Sequence, residues 1–71
     1  MTAETALQHI REISGDPVMA ETPISELGDS LDLVFLLTEM ESLGKIEIPR
    51  QVVVNFNTAG DIAEWFAGHQ C

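Results

Sequence analysis

Apolar positions at the head of the chain recur at spacings of three and four: Ala3, Ala6, Leu7, Ile10 and Ile13. That period predicts a helix over residues 3–13 with a single buried stripe. Thr2 is placed to cap its start, and Ser14-Gly15 followed by Asp16-Pro17 closes its end. From 15 to 29 the period is lost, and Gly15, Pro17, Pro23 and Gly28 mark a long loop. Val18, Ile24 and Leu27 are spaced through it so that they could pin it to the core. A connection this long in a small domain is usually functional or anchored.

The period returns at Ser30 and predicts a second helix from about Ser30 to Leu43, with Asp29 as its N-cap. Leu31, Val34, Leu37 (or Leu36), Met40 and Leu43 form the expected inward stripe. Asp32, Glu39, Glu41 and Ser42 fall on the other side. Leu33 and Phe35 also fall on outward positions, unless they pack on the preceding loop or the third helix. Gly44 is placed to end the helix in a left-handed conformation. Lys45–Arg50 reads as a loop, with Ile46 and Ile48 plugging the core. The stretch "QVVVNF" has valines that favour a strand, but no partner strand is evident, so a short third helix is expected. Thr58-Ala-Gly-Asp61 resembles a capping box with Asp in place of Glu or Gln, and Ile62, Trp65 and Phe66 follow at helical spacing. The expected fold is all-α: a small four-helix bundle, three longer helices and one short one, with a long loop between helices 1 and 2.

With 71 residues the chain is expected to be one domain, 1–71, with an aliphatic core and no room for a deep catalytic cleft. Twelve acidic residues against three basic ones give a formal charge of -9. Such a surface repels nucleic acid, whose binding rests on phosphate neutralisation by Lys and Arg. It serves either solubility alone or encounter with basic protein partners. The one cysteine, Cys71, allows no internal disulfide, and as a terminal thiol it reads as incidental. No apolar run approaches the roughly 20 residues that span a bilayer, and "MTAETALQHIREIS" lacks a signal peptide's basic start and apolar centre. A soluble cytoplasmic protein without a metal site is expected.

Gly28-Asp29-Ser30-Leu31 spells the signature of a family of serine esterases. A nucleophilic serine needs a base, a group orienting that base, and oxyanion donors. The only histidines are His9, in mid-helix, and His69, in the tail. No strand precedes the motif and no Asp-x-x-His follows it, so no catalytic residue is expected and the chain reads as a non-enzyme.

A different resemblance extends beyond the motif. The run "DSLDLVFLLTEMESLGKIEIP" from Asp29 to Pro49, followed by "FNTAGDIAEWF", is similar to the acyl carrier protein superfamily, which includes acyl, peptidyl and D-alanyl carriers. The likeness covers roughly residues 24–67. It implies that a phosphopantetheinyl transferase joins 4′-phosphopantetheine from coenzyme A to the Ser30 hydroxyl, and that the arm's thiol holds cargo as a thioester. A serine at a helix N-terminus suits this, because the dipole favours a phosphate there. The resemblance gives Asp29 a role in recognition and in holding the transferase's metal. Leu31 would divide its contacts between core and partner. Asp32, Glu39 and Glu41 would meet basic patches on partner enzymes. The implied partners are the transferase, an acyl- or aminoacyl-loading ligase and a downstream synthase or transferase, all met by a monomer.

Three departures from the family pattern stand out. Leu27-Gly28 abuts Asp29-Ser30, where carriers commonly have one further residue between the pairs. Leu33 and Phe35 occupy positions where carriers of fatty acid synthesis usually show polar or acidic residues, which suggests a more apolar docking face. Gly44 stands where a phenylalanine often ends the helix, with Leu43 and Ile46 filling its volume. Phe56-Asn57-Thr58 resembles a stretch of D-alanyl and other aminoacyl carriers. These features point to a free-standing carrier of acyl or aminoacyl cargo in a specialised pathway, such as the biosynthesis of a secondary metabolite. A non-carrier acidic helical interaction module remains open as the alternative; it would function without modification of Ser30.

Overall fold

The first helix, α1 (Ala3–Ser14), begins where Thr2 accepts a hydrogen bond from the Thr5 N–H through its hydroxyl oxygen. It ends at Gly15, whose φ of 77° turns the chain out of the helix while its N–H reaches the Arg11 carbonyl. The computed structural model describes residues 2–69, and Cys71 lies outside them. Three further helices follow: α2 (Ser30–Gly44), the four-residue α3 (Arg50–Val53) and α4 (Ala59–His69). With three longer helices, one short one and no strand among the described residues, the expected bundle is borne out.

α1 packs chiefly against α4, and less extensively against α2. Between them lies one core, in which Ile10, Met40, Ile62 and Phe66 are the largest fully buried side chains. These four come from α1, α2 and α4, so each longer helix contributes a bulky side chain to a single contact set. α3 contributes no fully buried residue; Val52 and Val53 lie partly buried against the core. Ile48 is buried and Ile46 partly buried, so the loop before α3 does plug the core.

The loop between α1 and α2 is anchored along its length. Val18 and Leu27 are buried in the core, with Ile24 packed against it. The Arg11 Nε–H donates to the Val18 carbonyl at 2.6 Å. Further on, the loop is fastened to the head of α4: Ile24 N–H to Asn57 O at 2.9 Å, Ala59 N–H to Thr22 O at 2.9 Å, and Gly60 N–H to Ala20 O at 2.8 Å. A short 3-10 turn, Ile24–Leu27, then carries the chain to the start of α2. The spacing of apolar residues announced the anchoring but not this turn.

α2 departs from its expected face at four residues and from its expected end at one. Leu31, Val34 and Leu43, expected inward, are exposed, at 78%, 59% and 49%. Leu36, Leu37 and Met40 are buried, as expected of Leu37 (or Leu36) and Met40, whereas Leu33, expected outward, is half-buried against the core. The cause lies in the composition of the helix: apolar residues from Leu31 to Leu37, interrupted only by Asp32, allow more than one stripe at spacings of three and four. Only packing against α1 and α4 selects among them. The left-handed residue is Lys45 (φ 55°), not Gly44, because the helix runs through Gly44 and its Glu41 carbonyl accepts from both the Lys45 and Ile46 N–H groups.

Candidate functional site

The site is built on the first turn of α2. Gly28 precedes it with φ 119° and ψ -166°, a backbone conformation essentially restricted to glycine. A Cβ at this position would lie 2.7 Å from the Asp32 Cβ. The close abutment of Leu27-Gly28 on Asp29-Ser30 therefore requires glycine twice over, for the conformation and for the space.

Asp29 caps the helix. Its Oδ1 accepts from the Leu31 and Asp32 N–H groups, both at 3.0 Å. The Asp32 carboxylate in turn accepts from the Asp29 N–H at 3.3 Å, completing a reciprocal capping box. Its signal is the spacing Asp29-Ser-Leu-Asp32, with Asp in place of Glu as at Thr58-Asp61; the N-cap expected at Asp29 is one half of this box. The box changes the electrostatics expected for a phosphate at this helix end. Two backbone donors of the first turn are already taken by Asp29, and two carboxylates flank the serine. A phosphate on Ser30 is thus favoured by the helix dipole but not seated on the Leu31 and Asp32 N–H groups.

Ser30 is the first residue of the helix and is exposed, and its hydroxyl makes no hydrogen bond to any described residue. The side chain is held in place by its backbone and left free at its oxygen. Neither histidine serves it. His9 lies on α1, 3.9 Å from Glu12, and His69 Nδ1 lies 2.8 Å from the Trp65 carbonyl, with its ring stacked on the Trp65 indole. Among the described residues, neither a histidine nor a flanking carboxylate is hydrogen-bonded to the Ser30 hydroxyl.

Around Ser30, Leu31 and Phe35 are exposed one helical turn apart, at 78% and 59%. Asp32 and Glu39 are exposed on the same helix. Two other residues expected at a partner surface are placed differently. Leu33 packs against the core, and Glu41 is half-buried, its carboxylate accepting from the Ile48 N–H at 2.6 Å. Glu41 therefore ties the loop before α3 to α2. Among the described residues no group of His, Cys, Asp and Glu is arranged to hold a metal ion, and no helix is long and apolar enough to cross a membrane.

Acyl carrier proteins from three strains of Clostridium perfringens are 40% identical to this chain over 52 residues, which is 72% of this chain and 68% of each relative. No protein-family model and no solved structure matches. The chain belongs to the acyl carrier protein family. Members of that family are carriers rather than enzymes, and they bear a covalently attached 4′-phosphopantetheine group. The exposed, unbonded Ser30 hydroxyl fits such an attachment, since nothing in the fold has to move to release it.

Proposed function

We propose that Ser30 is the attachment point of 4′-phosphopantetheine, and that the chain carries an acyl or aminoacyl cargo as a thioester between enzymes of a specialised biosynthetic pathway. The observation that carries this reading is the exposed Ser30 hydroxyl, free of hydrogen bonds, on the capped first turn of α2. In the loading step the Ser30 oxygen forms a phosphodiester with the phosphopantetheine moiety of coenzyme A, loses its proton, and adenosine 3′,5′-bisphosphate leaves. The arm's terminal thiol supplies the site of thioester formation. Asp29 holds the serine's turn in place and offers a carboxylate beside it to the transferase and its metal.

The partner surface in this reading is the ridge of Leu31 and Phe35 with the exposed carboxylates of Asp32 and Glu39. Leu33 and Glu41 support that surface from behind through their contacts with the core and with Ile48. The partners are a phosphopantetheinyl transferase, a loading ligase, and a downstream synthase or transferase. An exposed phenylalanine beside the attachment serine supports partners with an apolar docking face, and so a pathway other than housekeeping fatty acid synthesis. Cytoplasmic, monomeric operation belongs to the same reading; a charge of -9 opposes self-association.

Incubation with coenzyme A and a broad-specificity phosphopantetheinyl transferase is expected to add one phosphopantetheinyl increment to the intact mass. Ser30→Ala is expected to abolish the gain completely. A folded wild-type chain whose mass never changes with an active transferase would sink the proposal and leave an acidic interaction module in its place.

A further inference from the structure

The stretch from Pro49 to Phe56 carries α3 and is hydrogen-bonded to itself. The Val52 and Val53 N–H groups donate to the Pro49 carbonyl at 2.9 and 3.2 Å, and the Val54 N–H donates to the Arg50 carbonyl at 3.2 Å. The Asn55 N–H donates to the Val52 carbonyl at 3.0 Å, and the Phe56 N–H to the Val53 carbonyl at 3.2 Å. The Asn55 side-chain amide donates to the Gln51 carbonyl at 2.8 Å. None of these bonds reaches α1, α2 or α4. Packing alone holds the stretch inward: Val52, Val53 and Phe56 are partly buried against the core, while Val54 is 74% exposed.

The residues that bound the stretch are fastened, each by a carboxylate. At one end the Ile48 N–H donates to Glu41 Oε2 on α2 at 2.6 Å. At the other the Asn57 N–H donates to Asp61 Oδ2 on α4 at 2.9 Å, and the Asn57 carbonyl accepts from the Ile24 N–H at 2.9 Å. A cleft of about 320 Å³ lies between the stretch and α2, with Val34, Leu37, Ile48 and Val53 in its lining. Val34 stands one helical turn after Ser30, and Leu37 is buried.

We propose that residues 49–56 form a strap that opens from α2 as one unit, held down at its two ends by Glu41 and Asp61. Segments that open well below the cost of global unfolding are those with few buried apolar contacts, and the strap has no fully buried side chain. A four-residue helix does not persist without packing, so the bonds within the strap are lost together when it lifts. Both end bonds run from a backbone N–H to a carboxylate, a class about twice as strong as neutral pairs. Two side chains outside the strap therefore set the balance between its closed and lifted states. Lifting uncovers Leu37 and changes how much apolar surface the molecule shows along the first turns of α2. The strap needs no modification of Ser30, so it stands or falls apart from the carrier reading.

Amide hydrogen exchange, followed by NMR on the full unmodified chain at fixed pH, tests this. Val52, Val53, Val54, Asn55 and Phe56 are expected to share one protection factor, lower than those of Ile10 and Met40 in the core. Glu41→Ala is expected to lower the shared factor about 10-fold, the loss of one hydrogen bond to a charged group. Glu41→Gln and Asp61→Asn keep a neutral acceptor and are expected to lower it about 3-fold; they carry the test where Glu41→Ala does not fold. Ile10→Val is expected to lower the protection of Met40 and leave the strap's factor unchanged, because the core stays packed when the strap lifts. Protection of the strap equal to that of the core, five unrelated factors, or an equal loss in core and strap with Ile10→Val would overturn the strap. So would clamp variants that change the Ile48 or Asn57 amide alone.

Discussion

At the head of α2, Asp29 accepts from the Leu31 and Asp32 N–H groups while Asp32 accepts from the Asp29 N–H. At the head of α4, Thr58 accepts from the Asp61 N–H at 3.3 Å while Asp61 accepts from the Thr58 N–H at 3.1 Å and the Asn57 N–H at 2.9 Å. The two helices begin with the same local device and differ in what surrounds it. At α4 the next residue, Ala59, is fully buried, and the backbone is fastened to the loop at Thr22 and Ala20. At α2 the next residue is the exposed, unbonded Ser30. The capping box fixes where a helix starts. Whether that start becomes a structural joint or an offered hydroxyl depends on whether another segment covers it.

The phenylalanines of the two helices give the largest expected contrast. Phe66 on α4 is fully buried and Phe35 on α2 is 59% exposed. Phe66→Ala is expected to cost about 3–5 kcal/mol, enough to unfold most of a marginal domain in a thermal melt. Phe35→Ala is expected to stay within about 0.5 kcal/mol. Phe35→Glu should likewise keep the helical circular dichroism spectrum while slowing loading by the native ligase. Unfolding of the Phe35 variants would erase the distinction between the helices.

The glycines come next. A Cβ on Gly60 would lie 2.7 Å from the Ala20 carbonyl oxygen, a backbone atom already held by the Gly60 N–H. Gly60→Ala is therefore expected to cost about 1–3 kcal/mol by forcing the loop off α4. If urea titration showed no loss, the fastening of loop to helix would not be a structural joint.

The smallest effect concerns acid. The backbone N–H groups of Asn57 and Thr58 hold the Asp61 carboxyl below its ordinary range, against a smaller opposing effect of burial. A depressed folded-state pKa gives stability that is present above the unfolded value, about 4, and lost as pH falls through the folded one. Asp61→Asn should accordingly lower Tm at pH 7, and the gap to wild type should close at strongly acid pH. A gap independent of pH would mean that the carboxylate's charge adds nothing to the joint.

Much of this molecule could be read before its fold was known, for reasons that are local. Helix starts at Thr2, Asp29 and Thr58 are encoded within four residues, because an N-cap acts on N–H groups two or three positions away. The pinning of the loop by Val18 and Leu27 was legible because isolated apolar residues in a polar stretch have few other places to go. The inward face of α2 was legible only at Leu37 (or Leu36) and Met40, and not at Leu31, Val34, Leu43 and Leu33, since its apolar residues do not form a single stripe. The partner surface shared that ambiguity: Phe35 is exposed as its position suggested, whereas Leu33 is turned to the core and Glu41 is tied to Ile48.

By itself the sequence determined the helices, their caps and the serine at the head of the second, because capping and periodicity operate over three or four residues. Tertiary structure alone decided which apolar residues of α2 face solvent. It also decided that the loop is fastened to α4, and that Glu41 reaches the Ile48 N–H. Those outcomes depend on how α1, α2 and α4 pack against one another, and contacts between segments distant in sequence leave no spacing for a reader to find.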